Sequence, residues 1–182
     1  MIEIGASILL LAPLAYIEDF LRQSFGEINA ALRSSVAGLS AVRELLPPGA
    51  RRTAVFDELL EGVRERAADG EFPQTQITAL VSGDGDDRTV ALAAMVGAPS
   101  SADGAAILGS IRRPGSGNEQ YYALLAADAA WERVLTVDER ARILEAIDKD
   151  DRDRQWISGD PNRKQLADAL RAAVNSSDVS QA

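Results

Sequence analysis

Ser116-Gly117-Asn118-Glu119-Gln120-Tyr121-Tyr122-Ala123-Leu124-Leu125-Ala126-Ala127-Asp128-Ala129-Ala130-Trp131-Glu132-Arg133-Val134-Leu135 is the stretch whose reading decides the fold. It opens on an S-x-x-E capping box, Ser116 to Glu119, which starts a helix near Gly117. Leu124, Ala127, Trp131, Val134 and Leu135 then recur every three or four residues, the period of a helix with one buried face. Thr136-Val137-Asp138-Glu139 repeats the start signal, so the first helix is expected to stop near Leu135 and a second to begin. Val137, Ala141, Leu144 and Asp148 follow one face of that second helix, with Ile143 and Ile147 beside it. The expectation is two antiparallel helices joined by a tight turn, each burying apolar surface that neither could hold alone.

Outward from this pair, the 182 residues suffice for a core without metal or disulfide staples. The apolar fraction is 46%, but only two Trp, three Tyr and four Phe contribute to it. Ala, Leu, Val and Ile supply the rest, a composition that favours close helix packing, so the chain is expected to be all-α. The sequence contains neither Cys nor His, which removes a Cys nucleophile, a His general base, the Ser-His-Asp triad and the usual zinc sites. A formal net charge of −9 disfavours binding to nucleic acid or to anionic lipid.

Towards the N-terminus, Ile4 to Ile17 is uncharged and holds the run Ile8-Leu9-Leu10-Leu11. It is shorter than the roughly 20 apolar residues of a spanning helix, contains Pro13, and has Glu3 where a secretory signal carries basic residues. A buried structural segment in a cytoplasmic protein is expected, with a membrane-associated anchor as the alternative. From Leu14 a near-heptad seam follows: Leu21, Phe25, Ile28, Leu32, Leu39, Val42 and Leu46, with Gly38 as a plausible break. It reads either as a long helix packed on its own chain or as a homodimer seam. Pro47-Pro48-Gly49 ends it, and Phe56, Leu59, Leu60, Val63 and Ala67 mark a second helix that stops at Gly70. Residues 1–72 are thus expected to form a helical hairpin with an apolar N-terminal segment, bounded by Gly70-Glu71-Phe72-Pro73.

Residues 73–175 are expected to form a compact bundle or solenoid-like array of short helices, closed in turn by Gly83, by Gly97 and Pro99, and by Pro114-Gly115. Asp160-Pro161 is a cap followed by a first-turn proline, opening a helix with Leu166, Leu170, Ala173 and Val174 on one face. Residues 176–182 read as a disordered tail.

Three features invite a chemical reading. Asp84-Gly85-Asp86-Asp87 and Asp148-Lys149-Asp150-Asp151-Arg152-Asp153 offer the carboxylates that Mg²⁺ and Ca²⁺ require, so a divalent-metal carboxylate enzyme is one alternative. Neither run has the glycine and glutamate positions of an EF-hand, and capping acids in polar loops are the favoured explanation. Gly115-Ser116-Gly117 lacks the Lys-Ser/Thr pair of a phosphate loop and reads as a turn. Among the aromatics, Trp131 and one of the adjacent tyrosines read as core, leaving Tyr122 and Trp156 as contact candidates.

The run Asn118-Glu119-Gln120-Tyr121-Tyr122-Ala123-Leu124-Leu125-Ala126-Ala127, with Ile111 before it and Glu139-Arg140-Ala141-Arg142 after it, resembles an E-Q-Y-x-A-L-x-x-A helix pair. Such pairs occur in helical regions of bacterial multidomain signalling and conflict-type proteins, and the resemblance spans roughly residues 86–156. It implies an interaction module with no catalytic motif. The expected function is therefore a non-enzymatic adaptor or scaffold, without cofactor, metal or catalytic residue, that binds another protein or a second copy of itself. The candidate contact residues are Leu21, Phe25, Ile28, Leu32, Leu39, Val42, Tyr122 and Trp156.

Overall fold

The computed structural model describes residues 30–153 and 156–179, and among these it is all-helical, with no strand. Helix α1 occupies residues 30–45, followed by α2 (Ala50–Ala68), α3 (Gln74–Val81), α4 (Gly85–Gly97), a 3₁₀ turn (Pro99–Ser101), α5 (Gly104–Arg112), α6 (Gly117–Ala130), α7 (Val137–Asp153) and α8 (Pro161–Val179). Ile4 to Ile17 and the seam residues Leu21, Phe25 and Ile28 lie outside the described residues.

Local signals place most boundaries. Asp84 caps α4 by accepting the backbone N–H groups of Asp86 and Asp87 at 2.8 and 3.1 Å, while the Asp87 carboxylate accepts the Asp84 N–H, a complete capping box. Asp103 caps α5 by accepting the backbone N–H groups of Ala105 and Ala106. Thr136 and Glu139 bond reciprocally at the start of α7. Gly38 does not break α1 as expected: it faces α2, where a Cβ would stand in ordinary contact, 3.5 Å from Leu59. Helix α8 likewise continues through Asn175 to Val179, past the expected end, because extending a formed helix adds a bond for each residue fixed.

Helix α4 is the centre. Every residue from Thr89 to Met95 is buried, and the helix packs against α2, α3 and α6. A helix enclosed in this way shows no polar stripe. Ala91, Ala93 and Ala94 of α4 and Ala123, Ala126 and Ala127 of α6 are all fully buried, so both helices enter the core with short side chains. At the end of α4 the approach to α2 is closer still: a Cβ on Gly97 would fall 2.0 Å from the Arg64 carbonyl oxygen, a distance no side chain tolerates. One buried cluster runs from Leu32 and Leu39 through Phe56, Ile77 and Leu92 to Ile157 and Leu170, crossing the Gly70–Pro73 turn.

The central pair differs from its expected form in three respects. Helix α6 ends at Ala130, earlier than Leu135, because the Ala130 carbonyl collects the N–H groups of Arg133, Val134 and Leu135 and turns the chain. The two helices do not form a self-packed hairpin. Helix α6 packs on α4, α5 and α8, whereas the main neighbour of α7 is α5. Finally, the buried face of α7 is Ile143, Ala146, Ile147 and Asp150, while Val137 is 72% exposed and Ala141 and Asp148 face solvent. The two isoleucines carry more apolar area than the Val137 face, and the difference turns the helix.

Candidate interaction site

The acidic runs resolve into structural roles. Asp84 and Asp87 cap α4, as described, and Asp86 accepts from Ser40 at 2.9 Å and pairs with Arg43, holding α1 to α4. Asp148 and Asp151 both pair with Arg171 of α8, at 2.9 and 2.7 Å. Burial lowers the affinity of the Arg171 guanidinium for its proton, but its bonds to Asp151 and Asp148 outweigh this and raise its pKa. Among the described residues there is no grouping of three or more acidic side chains able to hold a metal ion.

Two buried polar assemblies are less legible in the sequence. Ser116 accepts the Glu119 N–H at 3.1 Å, but the Glu119 carboxylate does not return to the Ser116 backbone. Fully buried, it accepts Arg88 Nε at 2.7 Å, Arg88 Nη2 at 3.2 Å and the Gly115 N–H at 2.8 Å. Hydrogen bonding to Glu119 raises the pKa of Arg88, against the cost of burial. The Gly115-Ser116-Gly117 turn thus serves this ion pair. In the second assembly, Gln120 of α6 donates from Nε2 to the Ile111 carbonyl at 3.1 Å and to Asp150 Oδ1 at 2.9 Å. Asp150 Oδ2 accepts the backbone N–H groups of Trp156 and Ile157, at 2.9 and 2.8 Å.

This second assembly positions the loop at residues 156–160. Ile157 is driven fully inside, and Trp156 is left outside with 40% of its surface exposed. Arg163 of α8 lies over the indole, 5.9 Å from the ring centroid. A large aromatic is therefore presented to solvent on a backbone fixed by a buried carboxylate.

The other contact candidates fare differently. Leu32 and Leu39 are each 1% exposed and belong to the chain's own core, and Val42 is half-buried against it. Tyr122 is corrected outright: it is 4% exposed, and Tyr121 is the half-buried member of the pair. The position of the ring is set by the helix period, since Tyr122 shares its face with Ala126 while Tyr121 falls on the rim. Burial, reinforced by the negative charge of Asp57, raises the pKa of the Tyr122 hydroxyl.

Three open cavities of about 370, 290 and 300 Å³ lie respectively between α5 and α7, between α2 and the starts of α6 and α8, and between α1 and the starts of α4 and α6. They fall at or below the low end of the roughly 300–1,000 Å³ typical of small-molecule sites. No helix among the described residues is long and apolar enough to cross a membrane. No family model matches the chain, and no curated protein or solved structure matches it.

Proposed function

We propose that the chain is a non-enzymatic helical module, an adaptor or scaffold, that binds another protein through the surface around Trp156. The observation that carries this reading is the exposed indole on a loop locked by Asp150. Tryptophans that anchor interfaces contribute most when they are held rigid in advance, because little conformational entropy remains to be lost on binding. The carboxylates that a metal-dependent enzyme would use are engaged by Arg43, Arg171 and backbone amides, which favours the binding reading over the enzymatic one. The described seam leucines, Leu32 and Leu39, are covered by the chain's own core, so the reading places the partner at the α7–α8 end in preference to a homodimer seam.

Trp156→Ala tests it. Circular dichroism and the unfolding midpoint are expected to stay near wild type, while affinity for a co-purified, mass-spectrometrically identified and then separately purified partner falls by about 30-fold or more, the loss of ~2 kcal/mol typical of an interface anchor. Equal affinity in the variant would overturn the reading.

A further inference from the structure

The cavity between α2 and the starts of α6 and α8 has an unbalanced charge. Glu61 is bonded by Arg64 at 2.6 Å, and Asp160 faces Arg163 at 3.7 Å, so each cation on its wall has a carboxylate of its own. Asp57 is left over: it makes no hydrogen bond or ion pair among the described residues, and partial burial raises its pKa. The side-chain amides of Asn118 and Asn162, also on the wall, make no hydrogen bond among the described residues and offer two further carbonyl acceptors. On the aromatic side Tyr121 is half-buried, with the buried Tyr122 ring edge-on to it, centroids 5.5 Å apart at 89°. The Nε groups of Arg64 and Arg163 have no partner but are sealed from solvent, so they do not serve a ligand entering the cavity.

A carboxylate without a cation, carbonyl acceptors on the same wall and the half-buried Tyr121 ring beside them all suit a planar cation that carries only donors. We propose that this cavity receives the guanidinium of an arginine side chain from the partner protein. The inference rests on the interaction reading above and gives that partner a chemistry. Two features favour a protein arginine over a free guanidino compound. The cavity, about 290 Å³, is small and open, and Arg163 forms part of its wall while also lying over the exposed Trp156, so an arginine and an apolar contact are offered side by side. The net charge of −9 adds a general attraction for a basic segment.

The full chain, ¹⁵N-labelled, is titrated with acetyl-Gly-Arg-Gly-amide and, separately, with the citrulline analogue, which keeps the shape and loses the charge. Saturable shifts at the amides of Gly117, Asn118 and Tyr121 are expected with the arginine peptide, at least tenfold weaker with citrulline. Asp57→Asn, an exposed position, is expected to weaken arginine binding by tenfold or more, and Asn118→Ala by a smaller factor. Equal shifts from citrulline, undiminished binding by Asp57→Asn, or tighter binding of free arginine than of the peptide would overturn the proposal. A failed titration alongside Trp156-dependent partner affinity removes the arginine pocket and leaves the interaction reading standing. Asp57-dependent peptide binding alongside Trp156-independent partner affinity does the reverse.

Discussion

The junction where α4 meets α6 and the junction where α7 meets the 156–160 loop each bury one carboxylate, and the two are neutralised differently. Glu119 is met by a guanidinium in a two-pronged ion pair, with one backbone N–H added. Among the described residues, Asp150 is met only by neutral donors: the Gln120 amide and two backbone N–H groups. The first arrangement ties two core helices together with a charge. The second uses the same kind of group to fix a surface loop, and the charge is spread over the dipoles of the loop backbone and of the Gln120 amide.

If that contrast holds, Arg88→Ala has the larger effect, because it leaves Glu119 buried and unpaired. A loss of about 3–5 kcal/mol in unfolding free energy is expected by denaturant titration. The double change Arg88→Met with Glu119→Leu should recover most of it, since removing both charges removes the cost of burying them. A double variant as unstable as the single would show that the pair does more than neutralise itself.

Asp150→Asn is expected to cost less, about 1–3 kcal/mol, because the amide keeps one acceptor but presents a donor towards Gln120 Nε2. Its signature is local: increased mobility of Trp156 in fluorescence anisotropy before global unfolding. An Asp150→Asn cost equal to that of Arg88→Ala would erase the distinction between the junctions.

The smallest expected effect is at the start of α7, away from either junction. Thr136→Ala should cost about 1 kcal/mol at neutral pH. Backbone and hydroxyl donation from Thr136 lowers the pKa of Glu139 below its ordinary 4.5. A depressed carboxylate contributes stability that is present above its ordinary pKa and lost as pH falls through the folded value. The difference between wild type and Thr136→Ala in unfolding titrations should therefore shrink as pH drops below 4.5.

What the sequence disclosed follows the range of the interaction responsible. Capping at Ser116 and Thr136, the Pro47-Pro48 stop and the close at Gly97 and Pro99 are set by neighbours within a turn, and they stand where the pattern puts them. The roles of Glu119 and Asp150 depend on Arg88 and Gln120, each about thirty residues distant, so a capping residue and an acidic run gave no sign of burial. Helix α4 was legible as a helix but not as the centre, because a segment enclosed on all sides loses the polar face that would orient it. Trp156 was legible as an aromatic outside the core, whereas choosing between Tyr121 and Tyr122 required the packing of α6 on its neighbours.

Gly97 makes α2 and α4 behave as a rack with a stop. The buried side chains of α2, Phe56, Leu60 and Val63 among them, can yield to a sliding neighbour by changing rotamer, which a backbone atom cannot do. With the Arg64 carbonyl resting on the backbone at Gly97, sliding α4 by one turn would bring Ala93 or Ala94, which share that face, against the oxygen, where a Cβ has no room. The two helices can part, but they cannot creep past one another, and one absent methyl group sets where α2 meets α4.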